Sequence, residues 1–147
     1  MTPHKFTVAA FVTMIVCGIA TQGTARTITH DTGGRISKFH RHFRIAIKAN
    51  VHYRIKGTCL SACTIYLGLP YVCVYPDAIL GFHGTWPRIL DPKQQEIADL
   101  KIGRYLPPNL KHLYMRKWRH KNALSFQYLT GSDIASIEPK IKLCQNT

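Results

Sequence analysis

The sequence predicts an α/β fold with a mainly parallel sheet and flanking helices. Three observations carry this. Short β-branched or apolar segments have strand periodicity. A segment of helical period lies between the first two of them, and a small-residue helical segment lies before the next. The resulting order of strand, helix, strand, helix, strand, strand leads to parallel pairing through crossover helices.

Taken in order, Thr27-Ile-Thr-His30 alternates and is β-branched, a short strand. Asp31-Thr-Gly-Gly34 is a turn. Over residues 35–48 the apolar side chains are Ile36, Phe39, Phe43 and Ile47, at helical steps of three and four, while Arg35, Lys38, Arg41, Arg44 and Lys48 fill the other face. Val51, Tyr53 and Ile55 alternate with His52, Arg54 and Lys56 in a strand that Gly57 is expected to end. Residues 61–67 are small and apolar and form a buried helix with Ser61 in its first turn. Residues 71–75 and 78–83 are apolar strands separated by the turn Pro76-Asp77. A loop from Trp86 leads to a helix over residues 93–105, stopped by Pro107-Pro108. Pro108 fits the first turn of a further helix, with Leu110, Leu113, Tyr114 and Trp118 inward and Lys111, Arg116, Lys117, Arg119 and Lys121 outward. Thr130-Gly-Ser-Asp133 has the form of a capping box opening a last short helix.

The 147 residues suffice for one small domain preceded by a secretory signal over residues 1–25. A positive start ending in Lys5, an apolar run over residues 6–20 and the small residues Gly23 and Ala25 place cleavage after Ala25. The apolar run is shorter than the roughly 20 residues a membrane span needs, so an uncleaved anchor is the weaker reading. The domain is then residues 26–147, delivered to a bacterial periplasm or secreted. The whole chain carries 20 Lys+Arg against 7 Asp+Glu, and loss of Lys5 leaves a net charge of +12. Such a balance makes an anionic surface one class of partner, with solvated basic helix faces as the plainer reading. Cys59, Cys63, Cys73 and Cys144 remain after Cys17 departs, an even set that favours disulfides in an exported protein. Three connectivities are open. Zinc is the rival, disfavoured by the loose Cys59-x3-Cys63 spacing and the isolation of the other two cysteines, so no metal is expected. His40 and His42, two residues apart on a helix, point to different sides and make a poor metal pair. No cofactor is expected either, because no phosphate loop, haem motif or zinc-protease motif is present.

The candidate chemistry rests on Ser61 and His83. A serine hydroxyl needs a base to become a nucleophile, and a helix N-terminus favours developing negative charge. Ala62 follows with a free N–H and a small side chain. The alternative is a serine that only caps its helix. His83 ends an apolar strand with glycines at Gly81 and Gly84, where a histidine either satisfies a buried partner or faces a cleft. Gly33-Gly34 can adopt positive φ and point an N–H at a ligand.

The runs Asp31-Thr-Gly-Gly-Arg-Ile, Gly57-Thr-Cys-Leu-Ser-Ala-Cys-Thr and Val74-Tyr-Pro-Asp-Ala-Ile-Leu-Gly-Phe-His resemble the Clp protease proteolytic subunit and its crotonase-like superfamily. The resemblance is closest to the exported Clp-protease-like branch with a cysteine on each side of the serine, and it spans residues 27–83 well and the rest weakly. It implies a small, trimmed version of that fold, with Ser61 as nucleophile, His83 as base, and the N–H groups of Gly34 and Ala62 as oxyanion donors. The substrate would be a peptide or other acyl compound. Homo-oligomers are a feature of the family; an ATPase partner is not expected outside the cytoplasm. One departure stands out. The family's third catalytic member is an acid just ahead of the step that is Leu129-Thr130 here, and Phe126, Gln127 and Tyr128 occupy those positions. Asp133 is then the nearest orienting partner for His83, although its spacing from Thr130 also suits a cap. A catalytically inactive member of the same fold, binding an anionic partner through its basic helices, is the alternative.

Overall fold

The computed structural model describes residues 23–87, 89 and 91–145. The signal segment and Cys17 fall almost wholly outside them. The sheet is organised around β2 (His52–Leu60). β1 (Ala25–Asp31) runs parallel along one edge of β2. The other edge is divided between two strands. β3 (Val72–Val74) pairs in parallel with Tyr53, Arg54 and Ile55, and β4 (Ile79–Phe82) pairs in parallel with Thr58, Cys59 and Leu60. Two strands absent from the sequence reading extend the sheet: β6 (Lys142–Leu143), parallel to β3, and β5 (Gln127–Thr130), antiparallel to β4. The fold is mixed α/β with a mostly parallel sheet, as expected.

Gly57 does not end its strand. A side chain there would collide with the Thr29 carbonyl, so the missing Cβ lets β1 press against β2 where their register shifts between Ile28 and His30. The strand therefore continues to Leu60 and delivers the chain directly to Ser61.

α1 (Ile36–Lys48) buries Phe39, Phe43 and Ala46 and exposes Lys38, Arg41, Arg44 and Lys48, with Arg35 exposed at its N-cap. Ala46, not Ile47, completes the inner face, and Ile47 is left 44% exposed. The segment Ser61–Gly68 is helical but of 3₁₀ type, not the α-helix expected. Ala62, Cys63, Ile65 and Leu67 in it are fully or almost fully buried against Ile55, Cys59 and Leu80 of the sheet. Each large apolar side chain so buried contributes roughly 1.5–3 kcal/mol. α2 (Pro92–Gly103) is capped by Asp91, whose carboxylate accepts the Gln94 N–H. α3 (Pro108–Arg116) buries Leu110 and Tyr114, and Trp118 is buried in the 3₁₀ turn that follows. α4 (Gly131–Ile137) opens with both halves of the Thr130–Asp133 capping box in place.

Two disulfides resolve the open connectivity: Cys59–Cys63 and Cys73–Cys144. The first closes the turn containing Ser61. The second joins β3 to the C-terminal segment across a sequence separation of 71. Loop-closure entropy makes the long loop worth about 4 kcal/mol and the short one about 2 kcal/mol. The paired substitution C73S/C144S should therefore lower the Tm more than C59S/C63S, measured calorimetrically. Equal losses, or the reverse order, would contradict this assignment of roles.

Candidate active site

Each side chain of the site is placed by the end of a strand. β2 carries the chain to Ser61, which has φ +54°, in the left-handed region. For a residue with a side chain this conformation costs about 1–2 kcal/mol and is sustained only when its surroundings impose it. Here the Cys59–Cys63 disulfide brackets the turn, and the Thr64 hydroxyl donates to the Ser61 carbonyl at 2.7 Å. The strand-to-helix reversal leaves Ser61 part-exposed beside the buried Ala62.

β4 pairs with the last three residues of β2 and so brings its own end beside the serine. His83 is the first residue after β4. Its Nε2 lies 2.8 Å from Ser61 Oγ, within hydrogen-bond distance. The imidazole is only 7% exposed. Phe126 packs against it edge to face with ring centroids 4.5 Å apart, and the Tyr114 hydroxyl donates to the His83 carbonyl at 3.2 Å. Nδ1 is buried and makes no hydrogen bond. Burial pushes the His83 pKa below its ordinary 6.5, while the Gly84 backbone and the charge on Asp99 oppose the shift more weakly. Burial thus favours the neutral ring, the form able to accept a proton.

The Gly33-Gly34 turn lies against the serine. Both glycines have positive φ, +88° and +132°. The Asp31 carboxylate fixes the turn by accepting the Gly33 N–H at 2.9 Å. A Cβ on Gly33 would meet the Leu60 carbonyl and Ser61 Cβ at 2.7 Å and Ala62 N at 3.0 Å, whereas one on Gly34 would meet nothing within 4 Å. Gly33 is thus the packing residue of the turn and Gly34 borders open space. Ala62 lies in the first turn of the 3₁₀ helix, where an N–H has no partner within the helix.

Ser61, His83, Ala62 and the diglycine turn are brought together; Asp133 is not brought to His83. Its carboxylate accepts from the Thr130 N–H at 2.8 Å and hydroxyl at 2.7 Å. The Thr130 hydroxyl, then the Thr130 N–H, holds the Asp133 carboxyl below the usual carboxylate range. The group is exposed and serves as a cap. His40 and His42 take separate partners, the Lys101 carbonyl and the Tyr66 hydroxyl. Among the described residues, no three His, Cys, Asp or Glu side chains are grouped to hold a metal.

Three residues near the site were not singled out from sequence. Thr85, Gln95 and Asp99 form a buried polar cluster just beyond His83. A signal existed: Gln95, Asp99 and Ile102 fall at helical spacing, and the first two are polar where the inward stripe of a helix should be apolar.

No protein-family model and no curated protein matches the chain. Solved structures share its fold. A crystal structure of a peptidase from Plasmodium falciparum aligns with a TM-score of 0.54 at 6% identity, covering 86% of this chain and 80% of that one. Another crystal structure, described as that of an enzyme, aligns with a TM-score of 0.52 at 8% identity, covering 76% of this chain and 66% of that one. At such identities the likeness extends to the fold alone.

The two glycines should respond differently to alanine. G33A, whose methyl would meet the Leu60 carbonyl, Ser61 Cβ and Ala62 N at positive φ, should lower the Tm by several degrees more than G34A, which meets strain but no neighbour. Thermal melts of the two variants check this, and equal effects would contradict the packing role given to Gly33.

Proposed function

We propose that the chain is an exported serine hydrolase of the Clp-protease and crotonase type, acting on a peptide or other acyl substrate. The observation carrying this reading is the 2.8 Å approach of Ser61 Oγ to His83 Nε2, on a left-handed turn set against a diglycine. Fold likeness to a Plasmodium falciparum peptidase supports it. So do the disulfides, which suit an oxidising compartment.

In this reading Ser61 Oγ attacks the acyl carbon while its proton passes to His83 Nε2. The carbonyl oxygen becomes an oxyanion held by the N–H groups of Gly34 and Ala62. When the tetrahedral intermediate collapses, the bond to the leaving amine or alcohol breaks and the leaving group takes the proton from Nε2. Water, deprotonated by His83, then cleaves the acyl-serine ester and restores both residues. The exported location leaves no role for an ATP-driven unfoldase.

A second reading has an observation of its own. Lys38, Arg41, Arg44 and Lys48 of α1, with Arg35 at its N-cap, form an exposed basic face, and Asp133 is committed to its own cap. A member of the fold without catalysis would use such a face to bind an anionic partner, with an affinity that falls steeply with salt and is indifferent to S61A.

A fluorophosphonate probe separates the two. The hydrolase reading predicts one phosphonyl adduct, on Ser61, absent in S61A and formed at least about 100-fold more slowly in H83A. The labelling rate should hold at neutral pH and fall only below pH 6.5, because the lowered His83 pKa keeps the base form dominant down to that point. Unlabelled wild-type protein, or labelling that persists in S61A, would defeat the proposal.

A further inference from the structure

α2 turns two polar side chains inward beside Ile102. Gln95 is 5% exposed and Asp99 is fully buried, while Ile97 is 53% exposed on the outer side. Burying a carboxylate carries a desolvation penalty unless hydrogen bonds or opposite charge offset it, so the partners of Asp99 matter. The hydrogen bonds of this cluster converge on Thr85. Asp99 Oδ1 accepts from the Thr85 N–H at 2.7 Å, the Thr85 hydroxyl at 2.8 Å and the Gln95 amide at 3.0 Å. The Gln95 amide also donates to the Thr85 hydroxyl at 2.9 Å, and its carbonyl accepts the Ile89 N–H at 2.6 Å. Thr85 lies two residues beyond His83. Between them, the Gly84 N–H is bound by the Lys121 carbonyl at 3.0 Å. The segment from His83 to Thr85 is therefore held at each residue, with Asp99 as its charged anchor.

Resting on the reading of Ser61 and His83 as nucleophile and base, we propose that Asp99 is the acidic positioning residue of this site. It fixes the His83–Thr85 segment through Thr85 and lends negative charge to the imidazolium that forms when Ser61 loses its proton. It does so without a hydrogen bond to Nδ1, which makes none. The groups at His83 fit this role. The imidazole meets the neutral Ser61 hydroxyl and the Phe126 ring, the Tyr114 phenol binds the backbone carbonyl, and Asp99 is the charge among the described residues that acts to raise the His83 pKa. A buried acid favouring the protonated form of a catalytic histidine is what such a site needs from its third member.

The test uses the full oxidised protein and two variants. D99N keeps an oxygen acceptor for Thr85 and removes the charge. T85V keeps the charge and removes the hydroxyl link. The His83 ring is titrated by NMR, and fluorophosphonate labelling rates are measured on the same samples. The proposal expects His83 to titrate at a lower pH in D99N than in wild type, with labelling slowed on the order of tenfold. T85V should label more slowly with its His83 titration close to wild type. If D99N does not fold, T85V decides: labelling at the wild-type rate overturns the positioning role. Coincident His83 titrations in folded D99N and wild type overturn the electrostatic role. Wild-type protein that fails to label, with the titration still lowered in D99N, removes the nucleophile reading on which the proposal stands while establishing the coupling itself.

Discussion

The reversal of the chain at Ser61 is the constraint on which the rest of the molecule depends. A serine in the left-handed region is held against its own preference, and the means of holding it are on both sides. Cys59 and Cys63, both fully buried, tie the last part of β2 to the start of the 3₁₀ helix. The Gly33-Gly34 turn braces the outside, where only a residue without a side chain fits against the Leu60 carbonyl and Ser61 Cβ. Because β4 pairs with the last three residues of β2, His83 arrives beside the serine as a consequence of sheet register. A one-residue slip in that pairing would point the β4 side chains to the opposite face and separate the two groups.

Much of this was legible in the sequence because local chemistry and tertiary structure agree. The helical period over residues 35–48 is realised as α1, with the basic face outward, because Phe39 and Phe43 find the core. Thr130 and Asp133 form the cap that their spacing suggests, since a capping box is satisfied entirely within one turn. The approach of Ser61 to His83 was anticipated from their positions at the ends of a turn and a strand, but their distance depends on the pairing of β2 with β4.

What the sequence concealed was decided by long-range contacts. Gly57 looks like a strand end, and becomes a point of close approach only because β1 lies beside it. β5 and β6 are four and two residues long, too short for a periodic signal, and exist by adding to edges already formed. The type of helix at Ser61 was also hidden: small apolar residues suit a buried α-helix, and the chain takes the tighter 3₁₀ form instead. The shared spacing of Gln95, Asp99 and Ile102 becomes informative only once Ile102 is known to face the core, because helical period alone does not say which face of α2 turns inward.

Proton transfer from Ser61 requires a lone pair on His83 Nε2, so the neutral ring must carry its hydrogen on Nδ1. The tautomer is thus the most direct report on whether this pair is built for catalysis or merely packed. Long-range ¹H–¹⁵N correlation spectra of the neutral His83 ring in the oxidised protein read it. A catalytic pair shows an unprotonated Nε2 accepting from the Ser61 hydroxyl, which is the expected result. A protonated Nε2 donating to Ser61 Oγ as the dominant form would contradict it.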